Sequence, residues 1–163
     1  MSDQPLHALL AVYPDRSYAD AALSYLQQME KSHVLGFEGL AVVTKDIDGT
    51  VRGEVVGGPS GKRGAKRGAL AGAALGLIFP AGVIGATVLG TGIGGLTGDL
   101  RGRSAPQDGL RELGERLERG RVGVLVLVHD AGVDDVANRL TGCEALHRLR
   151  IDAHTLAIVD DAS

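Results

Sequence analysis

A glycine-lysine pair in the middle of the chain raises the possibility of phosphate chemistry. Gly61-Lys62 resembles the end of the loop G-x-x-x-x-G-K-[ST], in which backbone N–H groups surround phosphates and the hydroxyl residue holds magnesium. Here Arg63 takes the hydroxyl position and Val56 takes the position of the first glycine. The glycines of residues 90–95 also lie inside a glycine-rich run and not at a strand-to-helix junction. Neither motif therefore predicts a nucleotide site.

A second set of residues has types that bind metals or transfer protons. Cys143 and His147 are four positions apart, with His154 beyond, but a zinc site needs three or four ligands and the chain has one cysteine. Asp130, Asp134 and Asp135 stand at the start of a predicted helix, where acidic residues ordinarily complement the helix dipole. We therefore predict no catalytic residue, no metal ligand and no cofactor.

Composition narrows the class of protein further. The 163 residues include 17 basic and 20 acidic side chains, for a net charge of −3, and only three Tyr, two Phe and no Trp. Neither a general basic field nor an aromatic stacking surface for nucleic acid is present, so nucleic acid is not an expected partner. A single cysteine forms no internal disulfide, and the N-terminal residues lack the features of a signal peptide. We expect a cytoplasmic location or the cytoplasmic side of the inner membrane.

The elements that would position such residues are predicted from apolar periodicity and turn residues. The first half has the order β-α-β-β, with Ser17 as the helix N-cap and Asp48-Gly49 as a hairpin turn. The second half has the order α-β-α-β, and its first helix ends at Gly120. The predicted strands are 7–13, 40–44, 51–56, 122–128 and 154–159, and the predicted helices begin at 17, 104 and 133.

Two β-α-β units in one chain predict an α+β fold, a ferredoxin-like split βαβ sheet with helices on one face. Residues 1–57 and 104–163 together would form this discontinuous domain, and 58–103 would be an insertion. Such a fold hosts many functions and specifies none.

The insertion contains no charged residue from 68 to 98, a run of 31 positions. Its glycines recur every four residues, a spacing that places small side chains on one helix face and lets two helix backbones approach closely. We predict a glycine-zipper helical hairpin whose helix-packing residues are Gly68, Gly72, Gly76, Gly90, Gly94 and Gly98.

Positive charge stands on both sides of this run. The predicted membrane-surface residues are Lys62, Arg63, Lys66, Arg67, Arg101 and Arg103. Basic residues beside an apolar segment favour anionic headgroups and a cytoplasmic side. Because both halves of the chain build one sheet, a single crossing of the bilayer is excluded, and a hairpin or a re-entrant segment is expected. A soluble hairpin packed between sister subunits is the alternative.

The chain resembles a family of bacterial proteins of unknown function that are labelled predicted membrane proteins, and more loosely general stress proteins with glycine-zipper segments. The resemblance lies in HALLAVY, YADAALSYLQQM, LAVVTKDIDGTV, GKRGAKRGALAGAALGLIF, GIGGLTGDL and LRELGERLERGRVGVLVLV. It implies ferredoxin-like halves around a hydrophobic hairpin and association with a membrane or with other copies. It brings no catalytic motif.

The expected function is therefore that of a non-enzymatic homo-oligomer that assembles through the hairpin, as a membrane-associated scaffold or pore. Its expected partners are other copies of the chain and anionic membrane lipid. The alternative function is a soluble oligomeric small-molecule-binding or sensor protein whose hairpins pack between subunits.

Overall fold

The computed structural model describes residues 6–32, 37–56, 71, 74, 75, 78, 79, 84–88, 112–140 and 142–151. The strands are β1 (Leu6–Tyr13), β2 (Gly39–Lys45), β3 (Val51–Val55), β4 (Ile84–Val88), β5 (Arg121–His129) and β6 (Ala145–Ile151). The helices are α1 (Arg16–Lys31) and α2 (Val133–Arg139), and the latter follows a 3-10 turn at Asp130–Gly132. Helical backbone is also present at 71, 74, 75 and 78 and at 112–115.

The six strands form one sheet in the order β4-β3-β2-β5-β1-β6. The five strands from β3 to β6 in this order are antiparallel to their neighbours, and β4 adds to β3 in parallel. At the centre, β1 and β5 pair along eight residues, from Leu6 opposite His129 to Tyr13 opposite Val122. Both central strands consist largely of apolar side chains that are buried. The protein is therefore an α+β protein built on a mainly antiparallel sheet.

Two helical connections shape the sheet. The chain leaves β1, forms α1 and returns as β2, which is parallel to β1 with β5 between them. It leaves β5, forms α2 and returns as β6, which is parallel to β5 with β1 between them. Five predicted strands and helices are confirmed with small changes in their bounds, namely β1, β2, β3, β5 and α2. The predicted helix between 17 and 36 is confirmed as α1.

The helix α1 begins slightly earlier than predicted. Its N-cap is Asp15, whose carboxylate accepts hydrogen bonds from the backbone N–H of Ser17 and Tyr18 at 2.9 and 3.3 Å. The prediction of Ser17 as the cap is wrong. Aspartate and serine are about equally good N-cap residues, so the choice between Asp15 and Ser17 could not be made from residue type alone.

Residues Ala145–Ile151 form a strand that was not predicted from the sequence, and it is the outermost strand on its side among those the structure describes. This strand, β6, pairs along β1 from Val12 opposite Ala145 to Leu6 opposite Ile151. Cys143 and His147 therefore do not share a helix face, since His147 lies in β6 and Cys143 precedes it. The predicted strand at 154–159 lies outside the described residues.

Residues Ile84–Val88 are also a strand, although the sequence analysis placed them in the second helical arm of the insertion. They pair with β3 in parallel, with Arg52 opposite Ile84 and Val55 opposite Val88. This pairing gives hydrogen-bond partners to backbone groups of β3 that would otherwise form an open edge of the sheet. At these five residues the helical prediction is wrong.

Alternating side chains divide the core into two layers. On the first face, which we call the α1 face, Leu9, Ala11 and Tyr13 of β1 pack with residues of both helices, including Leu26 and Val136. On the opposite face, the β1 residues that pack into the core are Leu6, Ala8, Leu10 and Val12. The prediction of helices on one face is wrong, because the helical residues Ala71, Ala74, Leu75, Ile78 and Leu113 cover the opposite face as well.

Candidate functional site: a segment docked on the sheet

All the residues predicted for helix packing and for the membrane surface lie outside the described residues. These are Gly68, Gly72, Gly76, Gly90, Gly94 and Gly98, and Lys62, Arg63, Lys66, Arg67, Arg101 and Arg103. Between them, the structure does describe five positions that pack on the sheet. These five positions are the basis of the candidate site.

The five residues, which we call the covering segment, are Ala71, Ala74, Leu75, Ile78 and Phe79. All are buried, with exposed fractions between 0 and 7 %. Four of them follow the helical spacing i, i+3, i+4 and i+7, which places them along one side of a helix. That side belongs to the same cluster as Leu10 and Leu127 on the opposite face of the sheet. The apolar side chains of the covering segment are therefore part of the protein core.

The covering segment also makes a close contact with the helical residues 112–115. Gly114 lies in the helical residues 112–115, and a Cβ atom built on it would be 2.4 Å from the backbone oxygen of Ile78. The same Cβ would be 2.9 Å from Cγ2 of Ile78. Only glycine permits this approach, because the first obstacle is a backbone atom that cannot rotate away. Gly114 was not among the residues predicted from the sequence to matter for packing.

Two further glycines on the sheet lie in close contacts, Gly39 against the covering segment and Gly123 against Leu10 and Leu117. A Cβ on Gly39 would be 3.2 Å from Cβ of Ala71 and 3.0 Å from Cδ1 of Leu127. A Cβ on Gly123 would be 2.8 Å from Cδ1 of Leu10 and 3.4 Å from Cδ1 of Leu117. The lack of a side chain at Gly39 lets Ala71 lie close to the sheet, and at Gly123 it leaves room for Leu10 and Leu117.

The residues around Gly114 are fixed to the rest of the fold by Lys45. Its ammonium group donates to the backbone oxygen of Leu117 at 2.9 Å and to that of Gly114 at 3.5 Å. The backbone N–H of Gly120 donates to the oxygen of Lys45 at 2.7 Å. A cation placed at the carbonyl end of a helical turn is stabilised by the negative end of the helix dipole. The segment that contacts Ile78 is thus hydrogen-bonded to Lys45 at the end of β2.

Two histidine-carboxylate pairs lie at the end of the sheet where β5 ends. Nε2 of His7 is 2.6 Å from Oδ1 of Asp130, and Nε2 of His129 is 3.1 Å from Oε1 of Glu38. In each ring Nδ1 is buried and has no hydrogen-bond partner among the described residues. The pairs orient the two imidazoles. Within the described part of the chain, no group of three or more His, Cys, Asp or Glu residues is arranged to hold a metal ion.

Tyr13 is the largest of the fully buried side chains, and its hydroxyl group has no hydrogen-bond partner in the described structure. Burial raises the pKa of Tyr13 to about 12, and the nearby Cys143 adds to the effect. Cys143 is a free thiol of intermediate exposure that donates to the backbone oxygen of Leu140 at 3.2 Å. Cys143 is partly buried and packs against the core of the α1 face.

The acidic residues at the start of α2 take different structural roles. Asp134 forms an ion pair with Arg148 of β6 at 3.3 Å. Asp130 holds His7, as described above, and Asp135 lies in the first turn of α2. This arrangement agrees with helix-dipole and ion-pair roles, and the ion pair links α2 to the edge strand.

The described residues thus define an α+β protein whose sheet is covered on both faces, with part of a glycine-rich segment packed on one of them. A model of a protein family of unknown function, DUF1269, matches residues 65–157, which is more than half of the 163-residue chain. The chain belongs to this family. The match includes the covering segment, Gly114 and all strands from β4 to β6. Comparisons with curated proteins and with solved structures find no match.

Among the described residues, no helix has both the length and the apolar character that crossing a bilayer requires.

Proposed function

We propose that the protein is a non-enzymatic homo-oligomer that assembles at the surface of an anionic membrane. The observation that carries this proposal is the uncharged run at 68–98 between Lys and Arg residues at 62–67 and at 101–103. Each basic residue near an anionic surface contributes about 1 kcal/mol of attraction. The apolar residues beside them add the hydrophobic part of the binding.

The mode of membrane contact that we propose is peripheral. Within the run, β4 pairs with β3 in the sheet and the covering segment lies in the core. These two described parts of the run therefore contact the rest of the fold. A bilayer-spanning helix needs about 20 apolar residues in succession. We infer that the run acts as an interfacial element and that a scaffold at the membrane surface fits better than a pore.

Assembly through small residues is the second part of the proposal. The close approach between Gly114 and Ile78 supports it, since this chain already uses a glycine to bring two helical backbones together. Gly68, Gly72 and Gly76 recur every four residues in the sequence, the spacing of a small-residue helix face. We propose that these glycines, with Gly90, Gly94 and Gly98, contact the same residues of sister subunits.

We also propose that the fold is ferredoxin-like, with residues 58–103 inserted between its halves. The order β2-β5-β1-β6 and the two split β-α-β connections support this assignment, with β3 and β4 as additions at one edge. The fold itself does not specify the function.

A flotation experiment tests the membrane part. The full-length chain should float with vesicles that contain anionic lipid and remain at the bottom of the gradient with neutral vesicles. Substitution of Lys62, Arg63, Lys66 and Arg67 by Gln should abolish the flotation, whereas Gln at the exposed Arg119, remote from the run in sequence, should not. Equal flotation with neutral vesicles would refute the electrostatic contribution, and no flotation would refute membrane association.

Cross-linking tests the assembly part. Gly72→Leu with Gly94→Leu should reduce the oligomer size, because the larger side chains would force the packed helices apart. Ala73→Leu with Gly95→Leu adds similar bulk one position away from the four-residue spacing and serves as the control. An unchanged cross-linking pattern in the first variant would contradict the glycine-zipper proposal.

The burial of the covering segment favours one other function, that of a soluble oligomeric sensor. Leu75, Ile78 and Phe79 are buried within the fold itself. Such a protein would bind a small molecule beside its sheet, and its melting temperature would rise with that ligand. Screening the full-length chain against small metabolites tests this function. Deletion of residues 60–103 is unsuitable for the test, because it would remove the covering segment and β4 and so expose the opposite face.

A further inference from the structure

We propose that the covering segment is an intramolecular mask, which must leave the sheet before its apolar side chains can enter a membrane. This inference rests on the membrane association proposed above. The side chains of Leu75, Ile78 and Phe79 are at most 7 % exposed and belong to the core of the opposite face. The same atoms cannot contact the sheet and acyl chains at once. Docked and membrane-bound states of the segment therefore exclude each other.

The attachment of the segment is of a kind that lipid can replace. Among the described residues, its five members make no hydrogen bond or ion pair to the sheet or to residues 112–120, and the backbone bond from Phe79 to Leu75 is internal. They are held by apolar contacts. Such contacts are non-directional and depend on removal of apolar surface from water, which a bilayer provides equally well. Transfer of the segment would thus break no polar bond described at its surface.

Chain length allows this transfer without disruption of the sheet. Upstream, 14 residues separate Val56, which follows β3, from Ala71, and downstream four residues separate Phe79 from Ile84 of β4. At about 3.3–3.6 Å per residue, the shorter connection reaches roughly 17 Å over its five steps and the longer one roughly 50 Å over fifteen. By length alone, neither connection is too short for the segment to leave the sheet while β3 and β4 stay paired.

In water, the hydrophobic effect stabilises the docked state of the segment. Departure of the segment would expose apolar surface of the cluster in which it packs, including Leu127 next to Ala71, which has no exposed surface in the docked state. Exposing that face is unfavourable unless lipid or another copy of the chain covers it. An anionic membrane shifts the population by stabilising the undocked state, which is the requirement for a ligand-driven switch. The mask would thus prevent premature insertion and assembly away from the membrane.

A disulfide across the docking contact tests the proposal. A Cβ on Gly39 would be 3.2 Å from Cβ of Ala71, a few tenths of an ångström below the about 3.5–4.5 Å that separates Cβ atoms in native disulfides. The variant Gly39→Cys with Ala71→Cys, made in a Cys143→Ser background, would lock the segment when oxidised. The single-cysteine variants and the Cys143→Ser parent, treated with the same oxidant, are the controls.

The readout is flotation with anionic vesicles before and after reduction. We expect the vesicle-bound fraction of the double variant to be about tenfold lower in the oxidised form than in the reduced form. Reduction should restore it to the level of the parent. Equal flotation of the oxidised and reduced forms would overturn the mask while leaving membrane association intact. If the parent itself does not float, the membrane proposal fails and the mask fails with it. Failure of the disulfide to form within one chain would show that Gly39 and Ala71 are not adjacent, which also overturns the mask.

A second variant moves the equilibrium in the opposite direction. Gly114→Ala places a methyl group against the backbone oxygen of Ile78 and should weaken docking. We expect it to increase the vesicle-bound fraction at limiting lipid, provided that circular dichroism shows the native fold. A folded Gly114→Ala protein that binds vesicles no better than the parent would contradict the proposal.

Discussion

The contact between Gly114 and Ile78 gives the most direct test of the packing on the opposite face. In Gly114→Ala, the new methyl carbon would start 2.4 Å from the oxygen of Ile78 and 2.9 Å from its Cγ2. Favourable non-bonded separations are about 3.5 Å or more, so the two backbones must move apart by roughly 1 Å. Overpacking of this kind costs about 1–3 kcal/mol, and the contact with a backbone atom favours the upper end.

The substitution also has a favourable component that must be subtracted. Alanine is a better helix former than glycine by about 1 kcal/mol, and residue 114 has helical backbone. The net expectation is a loss of about 2 kcal/mol in the free energy of unfolding, measured by urea titration with far-ultraviolet circular dichroism at fixed protein concentration. Glu115→Ala, at an exposed neighbouring position, should change stability by no more than about 0.5 kcal/mol. A Gly114→Ala protein as stable as the wild type, or more so, would refute the close approach of these two segments.

Three further substitutions test other parts of the fold. Leu117→Ala, at a side chain with no exposed surface, should cost about 2–5 kcal/mol in unfolding free energy, whereas Ile47→Ala, 82 % exposed, should cost almost nothing; equal effects would contradict the core assignment. Asp15→Ala should cost about 1 kcal/mol through loss of the N-cap, and Ser17→Ala clearly less; the reverse order in thermal melts would restore Ser17 as the cap. The pKa of Tyr13 is raised from 10.0 to about 12, so the unfolded chain loses this proton first, and the contribution of the neutral phenol to stability is complete below pH 10 and lost between pH 10 and 12. Unfolding free energy should therefore fall less steeply across that window in Tyr13→Phe than in the wild type, and identical slopes would contradict the shift.

The elements with the strongest local signals were predictable from sequence. β1 and β5 are unbroken apolar runs, and α2 has apolar residues at helical spacing after a turn. The tight turn before β3 was identified from Asp48-Gly49, where Gly49 indeed has a positive φ of 91°. In each case the residues that define the element are neighbours in the chain. Local physics is then sufficient to place it.

β6 was missed because its partner is distant in sequence. Its residues ALHRLRI put charged Arg148 and Arg150 in exposed positions beside half-buried leucines, as suits a strand at a sheet edge. Pairing with β1, more than 130 residues earlier, decides that this segment is extended. Apolar periodicity alone favoured HTLAIV at 154–159 as the last strand. An edge strand carries a weaker apolar signal than a central one, because one side of it remains in water.

The cover on the opposite face was predictable in principle, from a signal that the sequence analysis did not use. Strands that are apolar at every position, as β1 and β5 nearly are, need burial on both faces of the sheet. One layer of helices buries one face, so a second apolar layer must come from elsewhere in the chain, and the uncharged run at 68–98 is the largest apolar segment left. Apolar character could not decide between core and lipid for this run, since both environments stabilise the same surface. The demand of the sheet for a second cover favours the core for Ala71, Leu75 and Ile78, and a membrane must therefore compete with the protein's own sheet for them.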